Sequence, residues 1–122
     1  MTKILVIDDS AFMRKYVREF LEEATFEVEE FVPLSALEVM EKIRASKPDL
    51  VLSDYNMPDV DGQSVARMTK KADPAVRVVI LTASHDPAKE AALTKVGVDQ
   101  ILHKPIQGGD LVRAIQEILA RK

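Results

Sequence analysis

The chain has 122 residues, 47% of them hydrophobic, enough for one domain with its own core and too few for a second. A formal net charge of -3, with no local run of Lys and Arg, gives no footing for a polyanion partner, so direct contact with nucleic acid is not expected. The lack of cysteine removes disulfides, thiolate metal sites and cysteine nucleophiles and fits a cytoplasmic setting. Met1-Thr2-Lys3 leads into four apolar residues before Asp8, too few for a signal-peptide core, and no other stretch approaches membrane-spanning length.

Apolar runs of strand length alternate, from end to end, with segments whose apolar residues recur at helical spacing. The first strand is predicted over Ile4 to Ile7. Ser10 is the candidate N-cap of a helix whose stripe comprises Phe12, Met13, Tyr16, Val17, Phe20 and Leu21, with Phe12 assigned to the core. Phe26 to Val32 alternates like a half-exposed edge strand, and Pro33 stops it before a helix with Leu37, Met40 and Ile43 inward. Leu50-Val51-Leu52 and Val78-Val79-Ile80-Leu81 are continuously apolar, as parallel strands covered on both faces must be. Gly62, between them, is expected to be a turn glycine using positive φ. Ile101-Leu102 closes the series, and Gly108-Gly109 precede a last helix over Leu111 to Leu119.

Parallel strands joined by single helices cross over right-handedly, and helices on both faces make an open sheet. The expected fold is α/β, a three-layer, doubly wound, five-stranded parallel sheet forming one domain over residues 1–122. Its polar residues fall at one edge: Asp8 and Asp9 after strand one, Asp54 after strand three, Thr82 after strand four and Lys104 after strand five. The carboxyl edge of such a sheet is where ligands bind. Three carboxylates gathered there repel one another, so either their pKa values rise or a cation joins them. Oxygen ligands without Cys or a nearby His favour Mg²⁺ over Zn²⁺, and Mg²⁺ in turn favours a phosphoryl partner. Asp54 as nucleophile, Lys104 as fixed positive charge and Thr82 as hydroxyl donor complete the parts that phosphoryl transfer needs.

At these residues the chain resembles the receiver domains of response regulators, through Asp8-Asp9, the Ser-Asp-Tyr-Asn-Met-Pro run around Asp54, Gly62, Thr82-Ala83 and Lys104-Pro105. The resemblance spans essentially the whole chain. It implies a flavodoxin-like strand order 2-1-3-4-5 and phosphorylation of Asp54 by a histidine kinase, a phosphotransfer protein or a small phosphodonor. It also implies Mg²⁺ on Asp9, Asp54 and the Asn56 backbone carbonyl, with Asp8 acting largely through water on the ion. Thr82 and the Ala83 amide would contact the phosphoryl group, Lys104 would pair with its oxygens, and Pro105 would follow a cis peptide that aims Lys104. Asn56 and Ser84 hold positions that tune dephosphorylation in this family. Ala11, Met13 or Arg14 would meet the phosphodonor protein, and Asp-Asp-Ser-Ala-Phe-Met-Arg is similar to what chemotaxis-type receivers carry.

One position departs from the family pattern: many receivers carry Tyr or Phe three residues before the strand-five Lys, and here that residue is Ile101, which offers no ring to move inward on phosphorylation. His85 and His103 are assigned no role. No catalysis is expected beyond the chain's own phosphorylation and dephosphorylation, and a monomer or weak dimer would signal by binding a downstream protein. The chain stops at Lys122, directly after the last helix, so it reads either as a stand-alone receiver or as the receiver of a longer response regulator or hybrid kinase. Two other readings are weaker. A haloacid-type hydrolase would separate its first-strand aspartates by one residue and carry a cap, and a phosphate-independent scaffold would have lost some of the acidic residues or the Lys.

Overall fold

The computed structural model describes residues 1–121, so only Lys122 of the expected domain lies outside it. Strands and helices alternate as β1 (Lys3–Ile7), α1 (Ala11–Glu23), β2 (Glu27–Phe31), α2 (Ala36–Ser46), β3 (Leu50–Asp54), α3 (Gly62–Ala72), β4 (Arg77–Thr82), α4 (Pro87–Lys95), β5 (Gln100–His103) and α5 (Gly108–Ala120). All strand pairs are parallel and the order is β2-β1-β3-β4-β5. The order reverses between β1 and β3, which opens a crevice beyond their carboxyl ends.

Strand residues alternate between two faces, and each face is buried by its own helices. Ile4, Val6, Leu50, Leu52 and Val79 pack with Val17 and Leu21 of α1 and Leu111, Ile115 and Ile118 of α5. On the other face, Leu5, Ile7 and Val51 meet Val39 and Ile43 of α2 and Val65 of α3, while Val78 and Ile80 meet Ala66 of α3 and Leu93 of α4. Burial on both faces explains why β3 and β4 read as unbroken apolar runs. The helices start where polar caps allow: Ser10 accepts from the Met13 amide at 3.2 Å, Ser35 from Glu38 at 3.2 Å and Asp61 from Ser64 at 2.8 Å.

Four local expectations are corrected. Phe12 is 76% exposed. The start of α5 is level with Phe20, where Gly108 abuts the ring, so no helix covers α1 two turns earlier. Leu37 is 62% exposed, because Val39 and Ile43, four residues apart, take the inward line of α2 and leave Leu37 on the far side. Gly108 and Gly109 do not precede α5 but form its first turn. Gly62 is the first residue of α3 and has no positive φ; its lack of a side chain serves packing against the loop after Asp54.

Candidate functional site

β1 delivers Asp8 into the crevice, where it is only 6% exposed. Its Oδ1 accepts the Ser10 amide at 2.9 Å, which turns the chain into α1 and fixes the carboxylate. Burial pushes the Asp8 carboxyl above its ordinary range, and the charges of Asp54 and Asp9 push the same way, against the Ser10 amide and Lys104. Asp9, beside it, is exposed.

Asp54 is the last residue of β3 and is buried. Lys104, one residue past β5, donates from Nζ to its Oδ1 at 2.8 Å. Carboxylate oxygens of Asp8, Asp9 and Asp54 lie within 4.8 Å of one another. The turn that follows Asp54 is packed tightly: a Cβ on Gly62 would stand 2.8 Å from Tyr55 Cα and 3.1 Å from the Asp54 carbonyl oxygen, both backbone atoms. Gly62 therefore lets α3 seat directly against the loop that presents Asp54, and its amide donates to the Tyr55 carbonyl at 2.8 Å. Asn56 is exposed in that loop.

Thr82 closes β4, buried, and its hydroxyl oxygen accepts the Ser84 amide at 3.0 Å, which leaves its proton free to donate elsewhere. The Lys104 amide donates to the Thr82 carbonyl at 2.8 Å, so β4 and β5 stay paired up to the residue that carries the ammonium. Lys104–Pro105 is cis, as the resemblance implied. Ala83 is exposed at the mouth of the β4–α4 loop, and Ser84 follows it half-buried. Ile101 is packed with Ile80 and Leu93 beneath α4.

The structure thus gathers Asp8, Asp9, Asp54 and Lys104 into one pocket, with Thr82 at the end of the neighbouring strand. Three carboxylates face one ammonium, and Asp8 is raised first by its burial and then by the charges of Asp54 and Asp9. An all-oxygen donor set of this kind fits a hard divalent cation.

Three features escaped the sequence. Arg14 donates from Nη1 to the Asp8 carbonyl at 2.8 Å, a contact with no local sequence signal. His85 and His103 stack with ring centroids 4.2 Å apart and planes 8° from parallel, and His103 Nε2 lies 3.3 Å from Glu90 Oε2. An open apolar groove of about 520 Å³ runs beside the pocket: Phe12, Met13 and Tyr16 face Pro105 and Ile106, and Lys104 also lines it. A large exposed Phe next to a polar site is the one of these that a reading of helix ends had a chance to find.

A doubly wound sheet with an acidic pocket at its switch point, a lysine paired with Asp54 and a hydroxyl one strand away defines a flavodoxin-like receiver architecture. The family model of the response regulator receiver domain matches residues 4–116, and the chain belongs to that family of two-component signalling receivers. Members generally hold Mg²⁺ in such an acidic pocket. The chain is 28% identical over 116 residues to chemotaxis protein CheY of Thermotoga maritima, covering 95% of this chain and 96% of that protein. It is 32% identical over 117 residues to CheY of Halobacterium salinarum, covering 96% of each. A CheY-like receiver domain of Methanospirillum hungatei superposes with a TM-score of 0.88 at 26% identity, over 98% of this chain and 94% of that one.

Proposed function

We propose that the chain is a phosphorylation switch whose acceptor is Asp54, loaded by a histidine kinase or phosphotransfer protein in the cytoplasm and read by a downstream protein partner. The observation that carries this reading is Asp54 itself, buried at a strand end, paired with Lys104 at 2.8 Å and within 4.8 Å of two further carboxylates.

Asp9, Asp54 and the Asn56 carbonyl would hold Mg²⁺, with Asp8 beside them; when bound, the ion supplies the positive charge that offsets the carboxylates and the incoming phosphoryl oxygens. An Asp54 carboxylate oxygen attacks phosphorus, and the bond to the donor's imidazole nitrogen or acyl oxygen breaks with its electron pair leaving on the donor. Lys104 then transfers its hydrogen bond from Asp54 Oδ1 to a phosphoryl oxygen. The Thr82 proton, free while its oxygen accepts Ser84, and the Ala83 amide supply two further donors. Asn56 and Ser84 border the path of hydrolytic water and tune the lifetime of the acyl phosphate. The start of α1, with Ala11 exposed and Met13 and Arg14 half-buried, receives the phosphodonor protein beside the apolar groove.

The test is intact mass after incubation with acetyl phosphate or phosphoramidate, with and without Mg²⁺, for the native chain and Asp54→Ala. The expected result is a gain of one phosphoryl group that needs Mg²⁺ and disappears in Asp54→Ala. No gain in a folded sample that also refuses a beryllofluoride mimic would leave a phosphate-independent scaffold.

A further inference from the structure

The main chain between the two pocket aspartates is anchored from outside the pocket. Arg14, at the second turn of α1, reaches back with Nη1 to the Asp8 carbonyl at 2.8 Å and across with Nε to Glu30 Oε1 at 3.0 Å. Glu30, on β2, takes Arg18 Nη1 on its other oxygen at 2.8 Å, and Arg18 also holds Glu22 at 3.1 Å. A single guanidinium therefore ties three parts of the fold together: α1, the edge strand and the turn that follows β1.

The Asp8 carbonyl and the Asp9 amide share one rigid peptide plane, so anchoring that oxygen constrains ψ of Asp8 and φ of Asp9 together. Those two rotations decide where the Asp9 side chain leaves the backbone relative to Asp8. The Asp8 carboxylate is separately fixed by the Ser10 amide. Asp9 is exposed, and its approach to the pocket depends on the peptide that carries it. Glu30 takes Nε while Nη1 reaches the Asp8 carbonyl, and the fork of Arg lets one side chain serve both acceptors, which Lys cannot do.

We propose that Arg14 is a positioning residue for the pocket cation, orienting the Asp8–Asp9 peptide so that both carboxylates converge with Asp54, and that Glu30 in turn orients Arg14. This rests on the reading of the acidic pocket as a Mg²⁺ site. The sign of the effect separates positioning from charge. Arg14 is a cation beside an anionic pocket, so deleting it as a charge strengthens Mg²⁺ binding; deleting it as an anchor weakens binding, as loss of outer-shell partners does by roughly tenfold or more.

The experiment is calorimetric Mg²⁺ titration of the full chain at fixed ionic strength for wild type, Arg14→Ala, Arg14→Lys, Glu30→Gln and Arg18→Ala, with thermal unfolding in EDTA as the check on folding. Arg14→Ala should weaken binding by roughly tenfold. Arg14→Lys and Glu30→Gln should weaken it by smaller factors, and Arg18→Ala, which never touches Asp8, should leave it unchanged. The amide resonance of Asp9 should shift in the first three variants before any metal is added. A folded Arg14→Ala that binds Mg²⁺ as tightly as wild type, or more tightly, overturns the proposal. If Arg14→Ala does not fold, an unchanged affinity in Glu30→Gln and Arg14→Lys overturns it equally. A wild type that takes up no Mg²⁺ overturns the site reading and the proposal with it, whereas equal binding by wild type and variant overturns the proposal alone.

Discussion

The Asp8 carboxylate is buried beside two others and its pKa is raised, so neutralising it should stabilise the metal-free protein. Its oxygens lie within 4.8 Å of those of Asp9 and Asp54, and it is only 6% exposed. Asp8→Asn keeps an oxygen for the Ser10 amide, now at 2.9 Å, and removes the charge. Two unit charges about 5 Å apart repel by roughly 3 kcal/mol at an effective dielectric near 20 and by under about 1 kcal/mol in bulk water. Asp9 opens the pocket to solvent and Lys104 offsets part of the repulsion, so the expected gain is about 1–2 kcal/mol. For a domain of this size that is a rise in Tm of roughly 3–8 °C. Saturating Mg²⁺ should reverse the order: wild type gains about 2.7 kcal/mol at a hundredfold excess over Kd, and the variant has lost a pocket carboxylate. Acid should narrow the gap. The folded-state pKa of Asp8 lies above its ordinary 3.8, so between those two values the folded chain binds the extra proton and wild type becomes more stable as pH falls. Thermal and urea unfolding of both proteins, in EDTA and in Mg²⁺, at neutral and acid pH, measure all three effects. An Asn variant no more stable than wild type in EDTA at neutral pH would refute the account of the pocket as charge-strained.

Thr69 in α3 is fully buried and its hydroxyl finds no hydrogen-bond partner among the described residues, so Thr69→Val should raise stability by about 1 kcal/mol in urea unfolding. A loss of stability there would mean that the hydroxyl is satisfied after all. A Cβ on Gly108 would sit 2.3 Å from the Phe20 ring, so Gly108→Ala should cost about 1–3 kcal/mol, and Phe20→Leu in the same chain should recover most of it in a double-mutant cycle. Additive losses would show that the two residues do not meet. At Gly62 the obstructing atoms are backbone and have no rotamer to escape into, so Gly62→Ala should cost about 2 kcal/mol or more and slow the uptake of beryllofluoride at Asp54. Unchanged uptake would detach Gly62 from the acceptor loop.

The legible part of this fold is the part decided by burial on two faces. Val51, Leu52, Val78, Val79 and Ile80 are covered above and below, so no polar residue interrupts them and the strands announce themselves without periodicity. Asp8, Asp54 and Thr82 stand out for the same reason: each is a polar group placed where an apolar run meets the sheet's carboxyl edge. What stayed hidden depends on partners distant in sequence. Phe12 fits the apolar stripe of α1 as well as Phe20 does, and only the starting level of α5 decides that one is bare and the other covered. Gly62 and Gly108 look like turn residues, yet both sit in first helical turns, where backbone at Gly62 and an aromatic ring at Gly108 leave no room for a side chain. The grip of Arg14 on Asp8 is fixed by Glu30, on another strand.

Under the proposed phosphorylation of Asp54, partners distant in sequence also set the route from the pocket to the surface of α4. Ile101 is an aliphatic residue packed with Ile80 and Leu93, so no ring is available there to swing between exposed and buried positions. The aromatic contact between the β4–α4 loop and β5 is made instead by His85 on His103, and His103 is the cross-strand partner of Thr82 and the residue just before Lys104. The loop between Thr82 and α4 is short and internally tied, with Ser84 bonded to Thr82, Asp86 to Ser84, and Ala88 in α4 to Asp86. His103, the other ring of the stack, also meets Glu90 of α4, so His85, His103 and Glu90 join the β4–α4 loop to β5 and α4. On the proposed phosphorylation, the contact placed to respond to a movement of Ala83 is this His85–His103–Glu90 chain, since Ile101 offers no ring.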